Sequence, residues 1–441
     1  MCQQHSQLCA HIAKVCSCKG VGVVGLVVIT LLISLLSGCS DGGQSSSTTI
    51  NAAACSLAEV SAAVSSAKSG DTVVVPAGNC TWSSQLVIDK GLILRGAGIG
   101  QTVITSSINN QFGPALILYS PGLDEPFELS GFTLDGNDSG ILLEVASNSS
   151  ATALTKIKVH DNTFQNARSR AITMSGLEFG VFYNNQFLNN YIGIGITGAG
   201  SAGWQFPQKL GGSNYPYFED NIFTQSNPRG GFISETGQGG RLVFRHNAIV
   251  GYGGNGGEVW DQHGNQGDRG TVVSEIYNNT VNLTVNSRVF NHRGGQSLFF
   301  NNNVTGAHGS FNITEYSCWQ ADTCTQKLYP KDDQINHSYY WNNRIEMNPQ
   351  PPIPFLPSYC CSRADCSCGG GSSACGQFDD DFIQLNRDYW LPKIGLDTAK
   401  PVTCNIGEKF GATDTGKLYS CNIANVWTPQ YEPYTYPHSL R

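Results

Sequence analysis

A short repeat of one asparagine, one variable residue and one apolar residue runs through the middle of the chain. It recurs at Asn162, Asn185, Asn221, Asn247, Asn279, Asn302 and Asn343, and the apolar residue is Phe, Ile or Val. The smallest step, from Asn162 to Asn185, is 23 residues, which suits one coil of a parallel β-solenoid, and the longer steps indicate coils with inserted loops. Asparagine tolerates the left-handed conformation of a tight turn, and its amide can bond to the asparagine of the next coil. We therefore predict a stacked asparagine ladder followed by an inward apolar column.

A second set of segments precedes these motifs, and each segment ends in glycine. The segments are 170–176, 192–198, 231–237, 258–264 and 288–294. Aligned on the glycine, the fourth residue before it forms an apolar column of Ile172, Ile194, Ile233, Trp260 and Phe290. Because side chains alternate along a strand, the third residue and the last residue before the glycine should face outward. The outward row three residues before the glycine holds Thr173, Gly195, Ser234, Asp261 and Asn291. The outward row directly before the glycine holds Ser175, Thr197, Thr236, His263 and Arg293.

The second residue before the glycine lies between the two outward rows and should face inward, yet in the later segments this residue is polar. The residues at this position are Met174, Ile196, Glu235, Gln262 and His292. Two interpretations stay open: either the strand bends at this position, or the later coils bury polar groups.

The opening of the repetitive region, residues 57–104, carries a family resemblance. A short helix (LAEVSAAVSSA) leads to a Gly-Asp turn, an apolar strand ending Pro-Ala-Gly, and a later Leu-Arg-Gly-Ala-Gly. This order resembles the start of pectate-lyase-like parallel β-helix proteins. The resemblance implies an all-β, right-handed parallel β-helix over residues 51–345, with the helix as its N-terminal cap. It does not imply one function, because lyases, hydrolases, esterases and non-catalytic surface proteins share the fold.

The coil pattern stops near residue 346. A proline-rich stretch, a cluster of cysteines and an acidic FDDDF segment follow. We predict that residues 346–441 form a Cys-rich extension packed on the last coils and stapled by disulfides, with a small separate module as the alternative. Cys55 and Cys80 flank the capping helix and the first strand, so we expect them to pair. Cys318 with Cys324 is the next expected pair.

The N-terminus has the features of an export signal. Lys14 and Lys19 precede an apolar run that ends Leu-Ser-Gly-Cys39, which resembles the lipobox of bacterial lipoproteins. The resemblance implies that residues 1–38 are a signal peptide and that Cys39 is lipidated, which would anchor the protein at the outer membrane or cell surface. Residues 39–50 then read as a flexible tether. An uncleaved membrane anchor is the alternative, and the many cysteines suit an oxidising compartment.

Charge narrows the range of partners. Only 13% of residues are charged and the formal net charge is −7, so the chain lacks the basic footprint of a nucleic-acid-binding protein. We expect a monomer whose partners are a polysaccharide and, through the lipid anchor, a membrane.

The candidate chemistry lies on the outer face of the glycine-ended strands. Coils stack about 4.8 Å apart, so Asp261 should neighbour Asn291, and His263 should neighbour Arg293. Arg269 follows on the same coil as His263. This set suits β-elimination on an acidic polysaccharide, which needs a base near the sugar C5 and a cation on the carboxylate. Arg293 or His263 would be the base, Arg269 a carboxylate clamp, and Asp261 a calcium ligand or an orienting partner.

Further residues are expected to bind the sugar. They are Ser234, Thr236 and Asn291 on the outer face, and Trp204, Tyr215 and Tyr217 in the inserted loop 199–217, since sugars stack on aromatic rings. Calcium is the candidate cofactor.

Three alternatives stay open. The polar cluster is also compatible with ordinary solvated surface. The chain as a whole is also compatible with a non-catalytic adhesin or an envelope scaffold. A glycoside hydrolase ranks below a lyase, because Asp261 is the only acidic residue in the outward rows and the alignment puts Glu235 and Glu258 in inward register.

Overall fold

A computed structural model describes residues 47–109, 112–147, 152–225, 231–252, 257–264, 269–313, 333–345, 356–357 and 383–441. The predicted signal peptide 1–38, the lipidation site Cys39 and the predicted pair Cys318–Cys324 lie outside these residues. Within the described part of the chain, no helix has the length and apolar character needed to cross a membrane.

The body is a parallel β-helix, which confirms the predicted fold class. One side of the solenoid is a twelve-stranded parallel sheet, called sheet A here. Its strands are Thr49–Asn51, Thr72–Val74, Ile93–Arg95, Phe127–Ser130, Leu154–His160, Glu178–Tyr183, Pro216–Glu219, Arg241–Arg245, Val273–Tyr277, Gln296–Phe300, Ser338–Trp341 and Tyr389–Trp390. The first strand pairs with Thr72–Val74, so the predicted tether 39–50 is corrected at its end: Thr49 and Ile50 already belong to the first coil.

The other strands of the solenoid form an eighteen-stranded sheet, called sheet B, made of two columns. The asparagine column comprises Gly78–Trp82, Thr102–Ser106, Thr133–Ser139, Thr163–Ala167, Gln186–Leu188, Ile222–Thr224, Ala248–Tyr252, Thr280–His292, Asn303–Ile313 and Arg344–Ile345. The glycine column comprises Leu86–Ile88, Ile117–Tyr119, Leu143–Ala146, Arg170–Gly176, Ile192–Gly198, Phe232–Gly237, Glu258–Gln262 and Leu356–Pro357. Thr280–His292 and Asn303–Ile313 are long enough to pair in both columns.

The asparagine ladder is confirmed. Each side-chain Nδ2 donates to the Oδ1 of the next asparagine along the chain, over 2.9–3.2 Å from Asn162 to Asn343. The reason given for asparagine needs correction, because the left-handed residue is the one before each ladder asparagine, with φ between 51° and 57°. The ladder asparagine itself is selected by its buried amide.

The inward rows are mostly as predicted. Phe164, Phe187 and Phe223 stack at 5.3 and 4.3 Å between ring centroids. The later coils do bury polar groups: Gln262 donates to the Gly294 carbonyl oxygen over 2.7 Å, and His292 Nδ1 lies 2.5 Å from the Tyr340 hydroxyl.

The N-terminal end of the solenoid is capped by the helix Leu57–Ser66, which buries Val60, Ala63 and Val64. The predicted Cys55–Cys80 disulfide is confirmed. Helix and disulfide together cover the apolar end of the first described coil.

The C-terminal region only partly follows the prediction for residues 346–441. Tyr389–Trp390 still belongs to sheet A, and beyond it four strands form a separate sheet, called sheet C. Its strands are Lys393–Gly395, Lys409–Ala412, Leu418–Ile423 and Val426–Tyr431, with a 3-10 helix at Asp397–Ala399. A disulfide joins Cys404 to Cys421 in this region.

The C-terminal tail, residues 431–441, lies on the middle strands of sheet A and not on its last strands. The Tyr431 hydroxyl donates to Glu275 over 2.7 Å, and Arg441 contacts Glu219 at 3.0 Å and Asp220 at 2.6 Å. The extension therefore covers the middle of the solenoid as well as the last coils.

Candidate active site on the glycine column

A charged cluster lies on the outer face of the glycine column. Its members are Arg170, Glu235, Glu258, Asp261, His263, Arg288, Asn291 and Arg293. Three consecutive strands put Glu235, Asp261 and Asn291 side by side in register. The structure thus brings together four of the predicted site residues, namely Asp261, His263, Asn291 and Arg293.

Asp261 is the centre of this cluster. Arg293 binds it with two hydrogen bonds, Nε to Oδ1 at 3.0 Å and Nη2 to Oδ2 at 2.6 Å. Asn291 Nδ2 lies 3.4 Å from Oδ1. Although burial opposes the charged form, Arg293 and His263 hold the pKa of Asp261 below its usual range. Asp261 is therefore a fixed anion that orients its two cationic neighbours.

His263 lies between two carboxylates. Its Nε2 is 2.8 Å from Asp261 Oδ2 and 3.1 Å from Glu235 Oε1, although neither contact has hydrogen-bond geometry. Burial alone would lower the pKa of His263, but the charge of Asp261 and the contact with Glu235 raise it to about 9. The imidazole is therefore protonated at neutral pH and can donate a proton.

Two further carboxyl groups flank this pair. Glu235 accepts a bond from Arg170 Nη2 over 2.6 Å; burial opposes its charge, but His263 and Arg170 lower its pKa. Glu258 contacts Arg288 and lies 3.5 Å from Asn291 Nδ2. Burial and the repulsion of Asp261 raise the pKa of Glu258, and its Oε2 is buried without a hydrogen-bond partner.

The cluster is positive at neutral pH although the whole chain is negative. Its four basic side chains, Arg170, His263, Arg288 and Arg293, outnumber its three carboxyl groups. The two most exposed charged side chains of the cluster are cations: Arg288 and Arg170 are 39% and 26% exposed, against 21% for Glu235 and 1% for Asp261. Solvent therefore meets mainly positive charge on this face.

Arg269 has a different set of partners. Its Nε lies 2.7 Å from Asp333 Oδ1, and its guanidinium lies 4.6 Å from the centre of the Trp204 ring. Trp204 in turn donates to the Gly270 carbonyl oxygen over 2.9 Å. Trp204, in the short helix Ser201–Gln205, therefore packs against Arg269 and Gly270.

Four predicted sugar-binding residues lie away from the outer face of the glycine column. Tyr215 and Tyr217 pack on sheet A, where Tyr217 lies under Tyr434 of the C-terminal tail. Ser234 and Thr236 face inward, because Ser234 aligns with Ile194 and Trp260. The alignment on the closing glycine is wrong by one residue in the segment 231–237 and in no other of the five segments.

The same shift brings Glu235 to the outer face. Glu235 and Glu258, predicted in inward register, both belong to the charged cluster, and Arg170 and Arg288 were missed altogether. The acidic Glu235 in an otherwise inward row was the one signal in the sequence that could have indicated the shift.

Glu235, Asp261 and His263 are close enough to share a metal ion, since one ligand atom from each lies within 4.8 Å of the others. Both Asp261 oxygens, however, already accept bonds from Arg293, and the raised pKa of His263 keeps a proton on its imidazole. Calcium also prefers oxygen ligands. The three residues therefore fit calcium poorly.

Comparison with known proteins yields only distant likenesses. No protein-family model matches the sequence, and no curated protein matches it. The ORF18 protein of Geobacillus virus E2 is similar at 14% identity and a TM-score of 0.35, over 66% of this chain and 65% of that chain. The chain thus spans less than two thirds of the viral protein.

Two A-modules of Azotobacter vinelandii mannuronan C-5 epimerases are similar over 68% of this chain. The AlgE6 module has 13% identity and a TM-score of 0.40, and the match covers 93% of that module. The AlgE4 module has 14% identity and a TM-score of 0.32, and the match covers 94% of that module. Likenesses this distant give no information on function.

Proposed function

We propose that the charged cluster binds an acidic polysaccharide and cleaves it by β-elimination. The observation that carries the proposal is the position of the His263 imidazole, between Asp261 and Glu235 and beside the Arg293 guanidinium. This arrangement offers a proton donor and a carboxylate-binding cation on the same strip of surface.

Recognition of the polymer follows from charge. A uronate polymer carries one carboxylate per sugar, and the half-buried cations Arg170 and Arg288 lie on either side of Asp261 and His263. Arg293 bonds to a buried aspartate and so keeps its orientation without losing its charge. The cluster therefore presents fixed positive groups along the path of a bound chain.

The chemical step divides between a base, Glu258, and an acid, His263, and the pKa of each is raised. Glu258, whose pKa is raised, accepts the proton from C5; the electron pair forms the C4–C5 double bond as the bond from C4 to the glycosidic oxygen breaks. His263 donates its proton to that oxygen. Glu258 then releases its proton to water and His263 takes one up. Arg293 neutralises the substrate carboxylate and acidifies the C5 proton.

This assignment moves the base from Arg293 or His263 to Glu258. Arg293 is engaged by Asp261, and His263 carries a proton at neutral pH. The rate should rise as Glu258 ionises, at a pH above the ordinary carboxyl value of 4.5, and should fall as His263 loses its proton near pH 9.

The experiment is a panel of pectate, alginate and glycosaminoglycans, with and without calcium. Product is followed by the ultraviolet absorbance of the new double bond. Arg293→Ala should lower kcat/KM by about a hundredfold, as expected for a charge-assisted contact. Arg168→Ala, which removes an exposed arginine outside the cluster, should leave the rate unchanged. If wild type binds without cleaving, the protein is a binder, as in the adhesin alternative; if it does neither, the proposal fails.

Hydrolysis is the second candidate, and one observation favours it. The carboxyl groups of Glu258 and Asp261 have pKa values shifted in opposite directions, which is typical of the acid and the ionised partner in a glycosidase. New reducing ends without the ultraviolet absorbance would identify a hydrolase.

We also propose export and lipid anchoring through Cys39. The Leu-Ser-Gly-Cys39 motif after the apolar run supports it, and so do the disulfides Cys55–Cys80 and Cys404–Cys421, which suit an oxidising compartment. Cys39→Ser should release the protein from the membrane fraction or block its processing. Unchanged membrane retention and mass would contradict the anchor.

A further inference from the structure

A cavity separate from the charged cluster lies where sheet C meets the last strands of sheet A. Its volume is about 370 Å³, enough for a small ligand. His337, Tyr339 and Trp390 line one side, and Lys409, Asn422 and Gln430 line the other. No residue of the charged cluster contributes to it.

The floor of the cavity is aromatic. Trp390 stacks on Tyr339 with 5.1 Å between ring centroids and an interplanar angle of 19°, and His337 stacks on Trp390 at 6.1 Å. The backbone fixes this arrangement, because Tyr339 and Trp390 are paired residues on adjacent parallel strands. Such a platform suits the apolar face of a sugar ring.

A half-buried lysine stands beside the platform. Lys409 Nζ lies 5.2 Å from the centre of the Trp390 ring, and it donates to the Ser420 hydroxyl, which donates to Gln430 over 2.5 Å. Burial lowers the pKa of Lys409. Within the described residues, no carboxylate lies within ion-pair distance of Lys409, unlike Lys393 on the adjacent strand, which pairs with Glu408 at 2.7 Å. The site therefore holds a cation that has no counter-ion among the described residues.

We infer that this cavity binds a single uronate unit of an acidic saccharide. The sugar ring stacks on Trp390, its carboxylate pairs with Lys409, and the side-chain amides of Asn422 and Gln430 bond to its hydroxyls. The inference does not depend on β-elimination, since the two sites share no residue.

The test is calorimetric titration of the full chain with galacturonate, glucuronate, galactose and inorganic phosphate. Wild type should bind a uronate more tightly than galactose or phosphate. Lys409→Met should weaken uronate binding by about tenfold or more, the loss expected for a charged hydrogen bond. The matched control Lys393→Met should not change it, and Arg293→Ala should retain the uronate binding that Lys409→Met weakens.

Asn422→Ala provides a second variant if Lys409→Met folds poorly, because Asn422 is exposed and its loss should weaken uronate binding without affecting folding. Absence of uronate binding by wild type would overturn the inference, as would equal affinity for phosphate. If Arg293→Ala abolishes uronate binding and Lys409→Met retains it, the uronate binds at the charged cluster. That result would also overturn the inference.

Discussion

Replacing Asn221 with alanine tests whether the asparagine ladder holds the coils together. Asn221 Oδ1 accepts from the backbone N–H of Asn185 at 2.9 Å and from its side-chain Nδ2 at 3.1 Å. Its own Nδ2 donates to the carbonyl oxygens of Phe182 and Glu219 and to the side chain of Asn247, over 2.9–3.1 Å. One substitution therefore removes five hydrogen bonds from the buried turn.

The cost follows from which groups lose their only partner. The Asn185 N–H is buried and left unpaired, which costs about 1–3 kcal/mol, and the other lost bonds each contribute on the order of 1 kcal/mol or less. We expect the free energy of unfolding to fall by about 3 kcal/mol, because the remaining carbonyl groups keep some capacity to bond elsewhere.

The assay is equilibrium unfolding in urea. Asn79→Ala is the matched control, since Asn79 is exposed on an early coil and its loss should change stability by no more than about 0.5 kcal/mol. If Asn221→Ala unfolds within about 0.5 kcal/mol of wild type, the ladder is a consequence of the fold and not a support for it.

Three further predictions concern other parts of the molecule. Removing the Cys55–Cys80 disulfide opens a loop of 25 residues and should cost about 3 kcal/mol in the chain-entropy model; an unchanged melting temperature of the double serine variant would contradict this. Asp261→Asn should lower the pKa of His263 from about 9 towards 6.5, as read by NMR titration of the imidazole. Because the folded-state pKa is raised, the stability that His263 contributes is complete below pH 6.5 and is lost as the pH rises through 9. Arg441→Ala should speed proteolysis of the C-terminal tail, since it removes two ion pairs; wild-type resistance would mean that the tail is held without them.

The sequence was informative where the fold is periodic. Each ladder asparagine meets its neighbour in the next coil, so a repeat along the chain becomes a stack in space and can be recognised without a structure. The outer face could be predicted for the same reason, and Asp261 and Asn291 lie side by side as the alignment indicated.

Two failures have physical causes. The segment 231–237 is out of step by one residue, and because side chains alternate, that slip exchanges Glu235 with Ser234 and Thr236. The insertion 199–217 folds towards sheet A, where Gly211 N donates to Glu275 over 2.8 Å, and the C-terminal tail covers Tyr217. Contacts between segments so distant in sequence leave no local pattern.

The most direct test of the central claim is a structure of the His263→Gln variant, which should bind without turnover, in complex with a uronate oligosaccharide. The oligosaccharide should lie along the outer face of the glycine column, with a sugar carboxylate within hydrogen-bonding distance of Arg293 and C5 of that sugar facing Glu258. An oligosaccharide bound elsewhere, with the charged cluster covered only by solvent, would contradict that claim.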